Sequence, residues 1–518
     1  MKKLLLILSL VLAFFTSCFE DEGNYNYKKV GDITIEGIDK SYLKYSYVGD
    51  LLEIAPNIES NYTNLDYAWY IWDEASASIG AKEEKEMILI SSEKNLSYEV
   101  DLLPKVYSLM LKVTDRTTGY SSSYVANLEV STKFQRGFYI LKENTEGNSD
   151  VDLLFSDEEP LIADVLKTMG QEPVLGSPLA LNIVYKNGYI IPGTNNTGEC
   201  NSLCISTKSK RIAFYNTNDF TKVHDNSDVV YGGLGENEEP YTAFTCWLSN
   251  FFISNRGATI SYTAEMMPSS GIFGTNSGNG GSPHVAMVKY DAMGGGTWMA
   301  MFWNQQKQLI DYADPMWMAH SVGDYDNGEY PTEGMECVMC GASLSNHPYL
   351  CYFLLKDTQG RKYLYEANAI TMSTNERVEL DASSKVANAT CYATNVFTAN
   401  YLYYIYDNQL YAYNLADKVD ADQPMTLSGI PAGEQITHLS YQWLQCAADE
   451  EEGYNFVNLV VATQTGDTYK VYMYDIVGGE PRNLVRTIEG KGKFCAMRYV
   501  TPRFYTQDWS TPDHCSIY

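Results

Sequence analysis

Four aromatic side chains, Trp298, Trp303, Tyr312 and Trp317, fall within twenty residues that follow the glycine run Gly294–Gly296. Flat rings with a polar edge suit stacking on sugar rings or gripping peptide side chains, and they equally suit filling the space between packed sheets. These four are the candidate ligand-binding residues. A second group, Cys337, Cys340, His347 and Cys351, has the residue types of a zinc site. Its spacing is not that of a zinc knuckle, and Cys351 opens an apolar strand-like run. Buried thiols acting as small hydrophobes are therefore the favoured reading, beside a local disulfide or a bound metal. The segment Asp324–Glu329 has the ingredients of a calcium loop, but its glycine, Gly328, falls one place early for an EF-hand. It reads as a polar turn, with a structural calcium ion as the alternative. The chain has no H-E-x-x-H, no G-x-x-x-x-G-K-[ST] and no G-x-S-x-G. Its 65 acidic residues supply carboxylates for glycoside hydrolysis without singling out a pair. No catalytic residue, metal site or cofactor is assigned.

The chain that must position these groups is long and acidic. Its 518 residues carry 65 acidic and 37 basic side chains, a formal charge of −28, which argues against a nucleic-acid partner. Hydrophobic residues at 45% and charged residues at 20% exclude wholesale disorder, and the length invites two or three domains. Tyrosine is abundant, 42 residues against 18 Phe and 8 Trp, which favours half-buried β-strands.

Lys2 and Lys3 precede a twelve-residue apolar run, Leu4 to Phe15, followed by Thr16-Ser17-Cys18. A basic start, a short apolar core and small residues before a cut describe a secretory signal, and the run is shorter than the roughly 20 residues a spanning helix needs. Phe15-Thr16-Ser17-Cys18 resembles a bacterial lipobox, with Phe15 where Leu is usual. The resemblance implies acylation of Cys18 and removal of residues 1–17. Glu20, Asp21 and Glu22 resemble the surface-export signal of Bacteroidetes lipoproteins. Residues 18–32 then form a tether, and the chain is expected on the outer membrane, lipid-anchored and facing the cell exterior.

From Ile33 the pattern alternates like a strand. In Tyr107-x-Leu109-x-Leu111-x-Val113 the apolar side chains share one face at period two, and a turn follows at Thr117-Thr118-Gly119. With Trp69 in a middle strand, residues 33–132 read as a β-sandwich. Tyr67-x-Trp69, then Tyr107-x-Leu-x-Leu-x-Val-Thr-Asp115 and a glycine turn, resemble a PKD-type immunoglobulin-like domain. Residues 133–518 show a recurring hairpin of two apolar strands about a polar turn. Copies lie at Phe138–Phe155, Leu203–Tyr215, Phe251–Tyr262 and Met287–Met301, with three more starting near Cys351, Tyr401 and Phe456. Seven units in 386 residues, about 55 each, suit propeller blades with long loops, which usually need about 40–50. Asp291–Trp298 is a near-miss to the Asp-box of sialidase hairpins. The expected fold is all-β: a PKD-type sandwich, then a β-propeller of about seven blades, with a second pair of sandwiches as the alternative.

The lipobox, the opening Cys18-Phe-Glu-Asp-Glu-Gly-Asn-Tyr-Asn-Tyr27 and the PKD-like domain together resemble the PKD-like family lipoproteins of Bacteroidetes. The resemblance implies an accessory lipoprotein of a SusC/SusD-type outer-membrane importer, capturing an oligosaccharide or a peptide without catalysis. The alternatives are a surface glycoside hydrolase or lyase on a propeller, and a purely structural subunit of the importer complex.

Overall fold

The computed structural model describes residues 32–45, 50–73, 87–246, 249–262, 269–274, 280–290, 297–313, 325–343, 349–395, 398–444 and 456–501. Cys18, Glu20, Asp21, Glu22, Trp317, Asp324 and His347 lie outside them, as does the stretch 291–296 that opens the Asp-box-like segment. Two compact units divide between Ser131 and Thr132. Among the described residues no helix is long and apolar enough to cross a membrane.

In the first unit a five-stranded sheet has the order Ser41–Tyr45, Ser121–Ser131, Lys105–Asp115, Leu65–Asp73, Ile88–Ser91. The first two of these run parallel and the rest antiparallel. Two short pairs, Ile33–Glu36 with Asn57–Ser60 and Leu51–Ile54 with Leu96–Glu99, contribute to the same core. The alternating set Tyr107, Leu109, Leu111 and Val113 is buried in that core, as the period predicts. Trp69 is fully buried, and its Nε1 donates to the Glu93 carbonyl at 3.2 Å, so the ring fills the core without stranding its N–H. Asp115 ends its strand by accepting from the Thr118 N–H and hydroxyl, and Gly119 takes the positive φ of +75° that the turn requires.

Among the described residues the second unit holds seven antiparallel sheets in chain order, the blades of a β-propeller. Blade 2 spans Pro178–Asp225, blade 3 Pro240–Tyr262, blade 4 Val285–Ala313, blade 5 Glu336–Glu379, blade 6 Cys391–Asp420 and blade 7 Gln435–Lys491. Blade 1 is built from both ends of the unit: Gly137–Glu143 and Ser149–Leu154 are joined by Lys493–Val500, with Phe138 opposite Tyr499 and Ile140 opposite Met497. The last strand therefore latches the ring.

Among the described residues seven apolar cores alternate with the seven blades. Each joins consecutive blades, and the last joins blade 7 to blade 1 through Val460, Tyr469 and Met473 against Phe138, Ile140 and Met497. That closed series establishes the ring. It also explains why the seven hairpins were visible as continuous apolar runs: a middle strand is buried on both faces. Tyr403 and Tyr404 show the consequence, since adjacent rings point into opposite cores and both are fully buried. Tyr403 donates to the Gly479 carbonyl at 2.6 Å and Tyr404 to Asp420, so the hydroxyls remain satisfied. Sixteen tyrosines are buried among the described residues, so part of the tyrosine abundance is core chemistry.

Candidate functional site

The innermost strands of the ring surround a cavity of about 310 Å³, lined by seventeen residues from blades 1, 2, 5, 6 and 7 and from the entry to blade 4. This size is at the small end of the roughly 300–1,000 Å³ typical of small-molecule sites. Two larger depressions, about 520 Å³ near Arg256 and Gln306 and about 460 Å³ near Glu434 and Lys470, are more open grooves built from far fewer residues. Convergence of six blades on one enclosed space favours the central cavity.

Its floor and walls are mixed. Leu179, Leu181, Pro283, Met339, Leu439 and Ala496 supply apolar surface, while His284, Thr394, His438, Ser440, Tyr441 and Arg498 supply polar groups. Thr394 Oγ1 and Ser440 Oγ are buried without a hydrogen-bond partner. On the strand that carries Ser440, Gln442 donates to the Met497 carbonyl at 3.0 Å while its Oε1 is also left without a partner. Buried polar atoms are nearly always satisfied, and leaving one unmade costs about 1–3 kcal/mol, so these groups do not serve stability. Arg498 donates from Nη1 to the Met497 carbonyl at 2.8 Å and from Nε to Asn182 Oδ1 at 3.5 Å, which fixes its guanidinium beside the cavity.

Burial lowers both imidazoles to about 4, opposed for His284 by Glu336 and reinforced for His438 by the Arg498 charge. Both are neutral at neutral pH and act as hydrogen-bonding groups. The two thiols at the cavity go the other way: burial raises Cys340 well above its ordinary value, and raises Cys495 to about 11 against the pull of Lys208 and Arg498. Neutral imidazoles beside protonated thiols do not form an activated nucleophile. No aspartate or glutamate is among the described lining residues, so the carboxylate pair of a glycoside hydrolase is not assembled there.

The sequence candidates fall elsewhere. Trp303 and Tyr312 lie on neighbouring strands of blade 4, Thr297–Asn304 and Leu309–Ala313. Trp303 is 1% exposed in the core between blades 4 and 5, with Tyr312 packed partly buried against it. The expectation of a ligand face at Trp303 is corrected: a ring enclosed on both sides fills the gap between blades. Trp298 is on the same strand as Trp303, and its side chain is outside the described set. Cys337, Cys340 and Cys351 are free and join the same apolar core as Trp303. Among the described residues no three His, Cys, Asp or Glu converge as metal ligands. Asp326 accepts from the Gly328 N–H at 2.8 Å, which makes the Asp/Asn/Gly segment a closed turn.

The cavity residues were missed because they sit on innermost strands, whose inner edge faces the channel and which therefore lack the continuous apolar run. A usable signal existed in His438-x-Ser440-x-Gln442, polar at period two in the strand just before a strong hairpin.

Comparison with known proteins locates one part of the chain. Residues 18–178 match the model of the PKD-like family. The match covers the sandwich and the first hairpin of blade 1, and ends where blade 2 begins. No curated protein matches the chain. Among solved structures it is similar to a quinoprotein alcohol dehydrogenase-like protein of Bacteroides thetaiotaomicron, with 12% identity, a TM-score of 0.38, and coverage of 89% of this chain and 96% of that one. It is also similar to the periplasmic gluconolactonase PpgL of Pseudomonas aeruginosa, with 13% identity, a TM-score of 0.39, and coverage of 71% and 99%. The WD40 β-propeller domain of Doa1 is a third, with 9% identity, a TM-score of 0.34, and coverage of 64% and 88%. These are likenesses of fold alone; the sheet order and the closed series of cores establish the propeller.

Proposed function

We propose that this protein is a non-catalytic binding protein of the cell surface, tethered to the outer membrane through a lipid on Cys18, that captures a small nutrient in the cavity at the centre of its propeller. The observation that carries this reading is the cavity itself, with the unpartnered hydroxyls of Thr394 and Ser440 inside a ring whose other buried groups are mostly satisfied. Support for the address comes from the lipobox-like Phe15–Cys18 and from Glu20, Asp21 and Glu22. The PKD-like match and the opening Cys18–Tyr27 support a role as accessory subunit of a SusC/SusD-type importer, to which an oligosaccharide or peptide would be delivered. The protonated thiols and neutral imidazoles at the cavity weigh against a hydrolase or lyase.

Calorimetry of the purified chain against short oligosaccharides and peptides tests the reading. The double variant Thr394→Val, Ser440→Ala removes two hydroxyls that bond nothing in the empty protein. It should melt at or above the wild-type temperature while binding about tenfold or more weakly, the loss of two modest hydrogen bonds. Product formation would replace the binding reading with an enzyme. Co-purification with a transporter without affinity for any small molecule would replace it with a structural subunit.

A further inference from the structure

The polar wall of the cavity is built mainly from neutral groups. Thr394, Ser440 and Tyr441 bring hydroxyls, and the imidazoles of His284 and His438, which burial keeps neutral at neutral pH, each bring one donor and one acceptor nitrogen. Thr394 is 3% exposed, and its Oγ1, like Ser440 Oγ, has no hydrogen-bond partner. Arg498, the one ionised side chain among the described lining residues, is engaged by protein partners, the Met497 carbonyl and Asn182 Oδ1 among them. Met339 and Leu439 supply apolar surface between these groups. A hydroxyl or a neutral imidazole can answer a donor or an acceptor, so this wall satisfies neutral groups that give and take hydrogen bonds. An ion entering it would leave water without meeting a carboxylate or an uncommitted cation among the described residues, and a few neutral hydrogen bonds do not return that cost.

We propose that the cavity selects uncharged small molecules whose hydroxyl or amide groups bond to the hydroxyls of Thr394 and Ser440, and that it discriminates against their ionised counterparts. This deepens the reading of the cavity as the binding site and rests on it. The hydroxyls of a neutral sugar and the amides of a peptide both present that chemistry.

Matched probes separate these sources, each titrated calorimetrically into the purified full chain at neutral pH: D-glucose, D-galactose and D-mannose against their uronates, and N-acetyl-Ala-Ala-amide against Ala-Ala. The neutral member of at least one pair should bind about tenfold or more tightly than its charged match, because the charged one is desolvated without a counter-charge. The pair that shows this identifies the source. Ser440→Ala and Thr394→Val should each weaken that neutral probe about 3- to 10-fold, the loss of one modest hydrogen bond, without lowering the melting temperature. Equal or tighter binding of the charged member overturns the selection and leaves the binding reading standing. Undiminished affinity in both variants overturns the role of the two hydroxyls. Absence of binding by every probe overturns the selection, and the binding reading falls with it only if longer oligosaccharides and peptides also fail to bind.

Discussion

Asp150 offers a quantitative test of how the ring tolerates a buried charge. It lies in the Ser149–Leu154 strand of blade 1 and is 1% exposed. One carboxylate oxygen accepts from the backbone N–H of Val151 at 2.7 Å and of Leu166 at 3.0 Å, and the other has no partner. Burial raises its pKa from 3.8 to about 6; the two backbone donors oppose the rise, and Asp164 adds to it while Lys142 opposes it. An acid whose folded pKa lies above its unfolded value is destabilising when ionised. The penalty is absent below the unfolded pKa, grows as pH rises from 3.8 to about 6, and is complete above that. A shift of about two units corresponds to about 3 kcal/mol. Asp150→Asn keeps an acceptor for both backbone donors and removes the ionisation. Relative to wild type it should gain about 3 kcal/mol between pH 4 and pH 7, or about 4 °C in melting temperature for a unit of this size. Melting curves of both proteins at half-unit pH steps measure this. The buried imidazoles His284 and His438 pull the other way, since groups with lowered pKa lose stability as pH falls from 6.5 to about 4. That contribution is common to both proteins and cancels in the difference. A difference independent of pH, or a variant less stable at pH 7 than at pH 4 relative to wild type, would refute the reasoning.

Three further outcomes follow from the packing. Trp303→Ala should cost about 3–5 kcal/mol, because a ring 1% exposed leaves a cavity between blades 4 and 5; denaturant titration showing no loss would return Trp303 to the list of surface rings. Gly341→Ala places a Cβ 2.3 Å from Thr394 Oγ1 and should cost about 1–3 kcal/mol; adding Thr394→Ala should restore most of it, and additive losses in that cycle would mean the two innermost strands are not in contact. A chain ending at Gly492 lacks the latch strand and the buried Met497 and Val500, so it should lose its cooperative melting transition and resist protease poorly beside a control ending at Thr501. Wild-type melting of the shorter chain would show that the ring closes without the latch.

What the sequence disclosed, and what it hid, follows from where each strand sits. Tyr401–Tyr406 and Phe456–Thr465 are middle strands pressed between two cores, so each holds an unbroken buried run, Leu402–Ile405 and Leu459–Ala462, and the hairpins stand out. Tyr107–Val113 faces one core only, and its alternation marks a sandwich sheet just as plainly. The innermost strands obey neither pattern. Lys493–Val500 reads as a weak mixture of charged and apolar residues, and nothing local reveals that it pairs with Gly137–Glu143, some 350 residues away, to close the ring. Arg498 and Ser440 acquire their meaning only when six blades converge. Conversely, Trp303 looked like a binding ring because a local cluster of aromatics carries no information about which neighbour covers it.

The central claim is that the ligand sits on the propeller axis. Crystals of the chain grown with a short oligosaccharide or peptide that binds it in calorimetry test this most directly. Electron density for the ligand is expected among Thr394, His438 and Ser440. Density for that ligand on the sandwich, or in the outer grooves near Arg256 or Lys470 and not in the central cavity, would contradict it.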